Sequence, residues 1–143
     1  MSLQSMFAGA VAGICVLGLA GCGGPVEVQG KVTMNGQPLS GATVVFVPEG
    51  GGPEAGAQTD EEGSFRLNGT RGDGTLAGEY RVIVSKKEWP PGVKPPDPKE
   101  MSFASVLRMR ETVPQKYTVQ DKTPLHVAVP RGGAKDIVIA LEK

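Results

Sequence analysis

The chain has 143 residues, of which 21 are Gly and 12 are Pro, and few are aromatic. That favours one domain of short strands and turns over long helices. Lys plus Arg and Asp plus Glu both number 15, so no basic field exists to draw in nucleic acid.

Residues 1–21 carry no charged side chain, and Phe7 to Ala20 is an Ala/Gly/Val/Leu run. It has the length of a signal-peptide core and is short for a bilayer span. The run ends in Leu19-Ala20-Gly21-Cys22, which resembles the lipobox of bacterial lipoproteins. The resemblance implies a signal peptide over residues 1–21, cleavage before Cys22 and acylation of the Cys22 thiol. One departure is that Met1–Met6 holds no Lys or Arg, where a positive segment is expected.

Cys15 lies in the part removed, so an acylated Cys22 leaves no thiol for a disulfide, metal cluster or nucleophile. Each buried methylene of an acyl chain contributes about 0.8 kcal/mol to membrane attachment. By likeness to sorted lipoproteins, Gly23 is not the aspartate of inner-membrane retention. The expected location is the cell envelope, lipid-anchored in the outer membrane and facing the periplasm or the surface. Residues 22–25 form a short tether.

The sandwich proper is expected over residues 26–143. Val26, Val28, Gly30, Val32 and Met34 alternate with Glu27, Gln29, Lys31 and Thr33, the pattern of a half-buried strand. Asn35-Gly36 tolerates positive φ and reverses the chain. Pro38 stiffens the exit, Leu39 can tuck under the turn, and Ser40-Gly41 breaks again. Ala42 to Val47 is apolar on both faces, as in a strand covered on two sides.

Glu49 to Gly56 is a loop by composition. Ala57-Gln58-Thr59 reads as a short edge strand, and Asp60 to Gly63 as a type I turn. Phe65 and Leu67 point inward from the next strand, and Asn68 to Ala77 is a Gly-rich loop. Tyr80, Val82 and Val84 share one face, with Arg81, Ile83 and Ser85 on the other. Further strands carry Leu125, Val127 and Val129, with His126 outward, and then Ile137, Ile139 and Leu141. Pro130 to Lys135 is expected to join these two as a hairpin. About seven strands suit an antiparallel two-sheet sandwich.

The runs V-x-G-x-V-x-x-N-G-x-P-L-x-G-A-x-V-x-F (Val28 to Phe46), T-D-x-x-G-x-F (Thr59 to Phe65) and G-x-Y-x-V (Gly78 to Val82) resemble the carboxypeptidase regulatory-like, transthyretin-related β-sandwich. The resemblance implies that fold and a non-catalytic module. Small bacterial lipoproteins carry similar domains, with an element like Pro114-Gln115-Lys116-Tyr117. The transthyretin-like hydrolase uses several histidines and arginines and ends in Tyr-Arg-Gly-Ser, whereas this chain ends Ile-Ala-Leu-Glu-Lys.

The departure from the family is an insertion over residues 86–123. Five prolines fall between Pro90 and Pro98 and favour extended geometry over a ladder. Lys99 to Glu111 has the composition of one short helix with ragged spacing. A connection this long is often functional or disordered, and it is where a partner surface is expected.

Trp89, the only tryptophan, can anchor a partner or stack on a sugar, or else cap the open end of the sandwich. Tyr117 and Tyr80 are further stacking candidates. Asp60, Glu61, Glu62 and Asp73 offer oxygens for calcium but lack D-x-D-x-D spacing, and the turn explains Asp60 and Gly63. Arg71-Gly72-Asp73 and the Asn68-Gly69-Thr70 sequon read as loop chemistry. One histidine with no cysteine does not build a typical zinc site, and no G-x-S-x-G is present to serve His126.

The reading is therefore a lipid-anchored envelope protein with no catalytic residues, metal or cofactor. Its sandwich serves a structural or protein-interaction role, with Cys22 as anchor and Trp89 and Tyr117 as the candidate partner surface. The alternative is a carbohydrate-binding module at the cell surface. The partners expected are the membrane, through lipid, and an envelope protein or a glycan, not nucleic acid.

Overall fold

The computed structural model describes residues 24–69 and 72–143. The signal-peptide and lipobox readings, with Cys22 and Gly23, lie outside the described residues, as do Thr70 of the sequon and Arg71 of the Arg-Gly-Asp run. Among the described residues, no helix is long and apolar enough to cross a membrane.

The architecture is two sheets around one core. The first is built on β1 (Val28–Met34), which pairs with β12 (Ala134–Leu141) along one edge. On its other edge lie the short β2 (Gln37–Pro38) and β5 (Ser64–Arg66). The second sheet contains β3 (Thr43–Pro48), β4 (Ala55–Gln58), β6 (Asn68–Gly69), β7 (Gly72–Asp73), β8 (Gly78–Ser85) and β11 (His126–Val129). Its order is β11-β8-β3-β4-β6-β7. A separate ribbon pairs β9 (Lys87–Glu88) with β10 (Arg110–Glu111). Seven of these strands have three residues or more, and each overlaps a segment expected as a strand, although β4 begins at Ala55, inside the stretch expected as loop, and ends at Gln58.

The alternating faces meet in the middle. Val28 and Val32 of β1, Val44 and Phe46 of β3, and Val82 and Val84 of β8 are fully buried. Phe46 is the hub, with ring centroids 6.1 Å from Phe65 and 5.8 Å from Tyr80, both tilted. Tilted aromatic pairs at this spacing satisfy the ring quadrupoles as well as burying area. Gly30 points at the same core without a side chain, and the Phe65 ring lies over the space a Cβ would take.

Two loop motifs are held by specific bonds. Asn35 and Gly36 both have positive φ, 51° and 80°, as a tight turn between β1 and β2 requires. The buried Thr59 hydroxyl donates to the Leu39 carbonyl at 2.6 Å and accepts from the Ala42 N–H at 2.8 Å. One side chain thus pins the segment that carries Leu39 into the core. Asp60 accepts from the N–H groups of Glu62 and Ser64, and Gly63 N–H donates to Asp60 O at 3.0 Å. This closes the expected turn, and its carboxylate is engaged by backbone.

Four expectations are corrected. The segments around Val129 and Ile139 do not form a hairpin. The Pro130–Gly133 turn exists, closed by a 3.0 Å bond, but it carries the chain from one sheet to the other. There Ala134 N–H donates to Glu27 O, and Gly133, with φ +82°, passes so near that a Cβ would sit 2.5 Å from that carbonyl. As a result β12 runs parallel to β1 within an otherwise antiparallel sandwich.

The strand near Ala57 is not an edge, because β4 pairs with β3 on one side and β6 on the other. The Asn68–Ala77 loop contains the two-residue strands β6 and β7 and a bridge from Thr75 to Val26. Lys99 to Glu111 is not one helix. A 3₁₀ turn at Pro98–Glu100 is followed by a single helical turn, α1 (Phe103–Val106), and then β10.

The registers define two ends. Val26 bridges Thr75, whose hydroxyl lies 3.0 Å from that of Tyr80, and Tyr80 pairs with Pro48. The chain therefore enters the sandwich at the Tyr80 end. β1 and β8 both run from there to the opposite end, which holds Met34, Leu141, Thr43 and Ser85.

Candidate functional site

The insertion leaves from that opposite end as the continuation of β8. Its base is clamped by one carboxylate. Glu111 accepts from the Ser85 hydroxyl at 2.5 Å, the Lys86 N–H at 2.8 Å and the Val113 N–H at 3.0 Å. Thr112 adds a backbone bond to Lys86 O at 2.9 Å. Beyond this clamp the chain forms an arm. Core membership passes from Val84 directly to Val113, so residues 85–112 add nothing to the buried interior.

The exposed segment 101–107, termed the tip of the arm, carries α1. Ser102 caps it reciprocally with Ser105, the two side chains serving each other's backbone N–H. Such a capping box holds a turn that is too short to persist on propensity alone. Leu107 N–H donates to Phe103 O at 3.2 Å, and residues four apart share a helix face. Phe103 is 80% exposed and Leu107 70%. Met101, Val106 and Val93 are exposed as well.

Of the expected site residues, Trp89 stands at the start of the arm and is half-buried. Tyr117, the other expected contact residue, is buried. It lies on α2 (Gln115–Thr118) after the chain has returned, and only 4% of it is exposed. Its ring belongs to the core, and its hydroxyl accepts from the Glu142 N–H at 3.1 Å. Lys116 Nζ covers the ring at 4.8 Å. Tyr117 therefore closes the end of the sandwich, the capping role that had been weighed for Trp89. Tyr80 is equally unavailable as a stacking platform, being buried with its hydroxyl donating to Leu76 O.

Phe103 and Leu107 stand out in the sequence only as apolar positions of the ragged Lys99–Glu111 stretch, not as contact residues. The available signal was a pair of large apolar residues four apart, behind Ser102, in a stretch with no strand alternation. Alone it reads equally well as a core helix.

Two clusters of charged groups outside the arm engage one another on the surface. His126 Nδ1 lies 2.8 Å from Glu49 Oε1, with Arg81 Nε at 3.7 Å. Glu27 is bonded by Arg66 and Gln29, with Lys135 at 3.9 Å. Among the described residues, no group of three His, Cys, Asp or Glu side chains converges on a metal position.

The Arg66 guanidinium on the Glu27 carboxylate, helped by Gln29 and Lys135, holds that carboxyl below its ordinary value of 4.5. A lowered folded pKa contributes stability that is present above the unfolded value and lost as pH falls through the folded one. The effect is small because the pair is exposed. The expected result is that Glu27→Gln lowers the melting temperature slightly at neutral pH, with the gap to the parent closing as pH drops below 4.5. Melting curves across an acid series check this.

Two facing sheets, one central aromatic hub and loops pinned by single side chains define a small β-sandwich module. The carboxypeptidase regulatory-like domain model matches residues 27–142, and the chain belongs to that family. No curated protein matches it.

Proposed function

We propose that this chain is a lipid-anchored cell-envelope protein whose sandwich is a non-catalytic structural or interaction module. Its anchor is Cys22, and its arm is the surface it presents. The observation that carries the interaction role is the arm itself. From Lys86 to Glu111 no side chain enters the core, yet Phe103 and Leu107 stand in water. Exposed apolar groups that fold nothing are expected to serve contact with something else. Polar groups at Thr59, Asp60 and Thr123 are used within the sandwich, the Thr123 hydroxyl donating to Val82 O at 2.7 Å.

The anchor rests on the sequence, where Leu19-Ala20-Gly21-Cys22 closes an uncharged apolar run. The carbohydrate alternative is the weaker reading, because two of its three rings, Tyr80 and Tyr117, are inside. Radiolabelled palmitate fed to cells expressing the full chain tests the anchor. The label should appear on the protein and vanish in Cys22→Ser, with the variant released from the membrane fraction. Label persisting on the variant would remove the anchor.

A further inference from the structure

We propose that the tip of the arm is an interfacial membrane wedge, which inserts Phe103 and Leu107 into the headgroup region of an anionic phospholipid bilayer. This deepens the reading of the arm as a contact surface and does not depend on acylation of Cys22.

Three features of the tip point to a bilayer. First, its apolar side chains are presented outside the core. Phe103 and Leu107 lie on one face of a single capped turn, with Met101 exposed beside them. An exposed apolar turn suits a fluid interface, which closes around it without needing a pre-shaped pocket.

Second, the charge around the tip has one sign in excess. Across residues 86–111, Lys86, Lys87, Lys94, Lys99, Arg108 and Arg110 stand against Glu88, Asp97, Glu100 and Glu111, a net charge of +2. Lys87 and Arg110 lie in the ribbon at the base, opposite Glu111 and Glu88; apart from Lys86, which pairs with Glu88, none of these cations is in an ion pair among the described residues. This excess sits on a chain of zero net charge, so it is local to the arm. Cations bordering an exposed apolar face complement an anionic lipid surface.

Third, the arm is separable from the fold. Its apolar residues lie outside the core, and its base is fixed by Glu111 and Thr112. Entering a bilayer would therefore leave the sandwich intact. The base of the arm and the chain's point of entry at Val26 lie at opposite ends of the sandwich.

The test uses residues 24–143, which contain every core residue among the described ones. The probe is co-sedimentation with vesicles of pure phosphatidylcholine or of phosphatidylcholine mixed with phosphatidylglycerol. Binding to the mixed vesicles is expected, falling about tenfold or more on the neutral ones or in high salt. The double variant Phe103→Asp, Leu107→Asp should bind the mixed vesicles about a hundredfold less tightly. Its circular dichroism and unfolding midpoint should match the parent, since neither residue is in the core. Failure of the parent to sediment with mixed vesicles, or equal binding by the double variant, overturns the wedge and leaves the tip to a protein partner. Palmitate labelling reads a different residue, so the anchor and the wedge fail separately.

Discussion

Gly30→Ala should cost about 3 kcal/mol of folding stability or more, placing it at or beyond the upper range for overpacking a core. A Cβ at this position would fall 2.3 Å from the Ile137 carbonyl oxygen and 2.8 Å from the Phe65 ring. The ring can move only by leaving its contact with Phe46. The carbonyl belongs to β12, so yielding there disturbs the pairing of Gly30 with Ile137. Neither response is a side-chain adjustment at the surface. Gly132→Ala is the matched control, because its Cβ would meet nothing within 4 Å. That change should stay within about 0.5 kcal/mol of the parent. Urea midpoints followed by circular dichroism separate the two. A Gly30→Ala protein as stable as the control would mean that the sheet is not closed around Phe65 as described.

Tyr117→Ala should destabilise by about 4 kcal/mol, in the range for removing a buried aromatic. The ring is part of the core although it comes from a short helix outside both sheets. Its removal opens a cavity at the end of the sandwich and strips the Glu142 N–H of its acceptor. Tyr117→Phe isolates the second effect and should cost about 1 kcal/mol. Phe103→Ala, on the same insertion and of similar bulk, should change stability by no more than about 0.5 kcal/mol, because its ring is in water. Equal losses from Tyr117→Ala and Phe103→Ala would contradict the division of the insertion into a structural cap and a free arm.

That division explains where the sequence misleads. Proline content and length marked the whole of residues 86–123 as irregular, and they are so in part. Within that stretch the chain does two different things. Val113, Tyr117 and Thr123 rejoin the core, while the residues from Lys87 to Glu111 leave it. A tyrosine in a polar stretch and a phenylalanine in a ragged apolar one look alike as candidates for contact. Burial separated them, and burial depends on where the returning chain lies relative to β12 and β8. The proposed lipid anchor is different in kind, since Cys22 is recognised only by its neighbours in sequence.

What the sequence determined by itself is the set of elements with local causes. Alternation at Val28, Val32, Tyr80, Val82 and Val84 set which face of each strand turns inward, because side chains on an extended chain switch sides at every residue. Asn35-Gly36 and Asp60 to Gly63 set their turns, because positive φ and Asx bonding are properties of those residue types. Tertiary structure decided the rest. It made β12 a parallel neighbour of β1, put Gly30 beneath Phe65, buried Tyr117 and exposed Phe103. Each of those outcomes depends on contact between residues far apart in the chain, and alternation carries no record of which strand a given edge will meet.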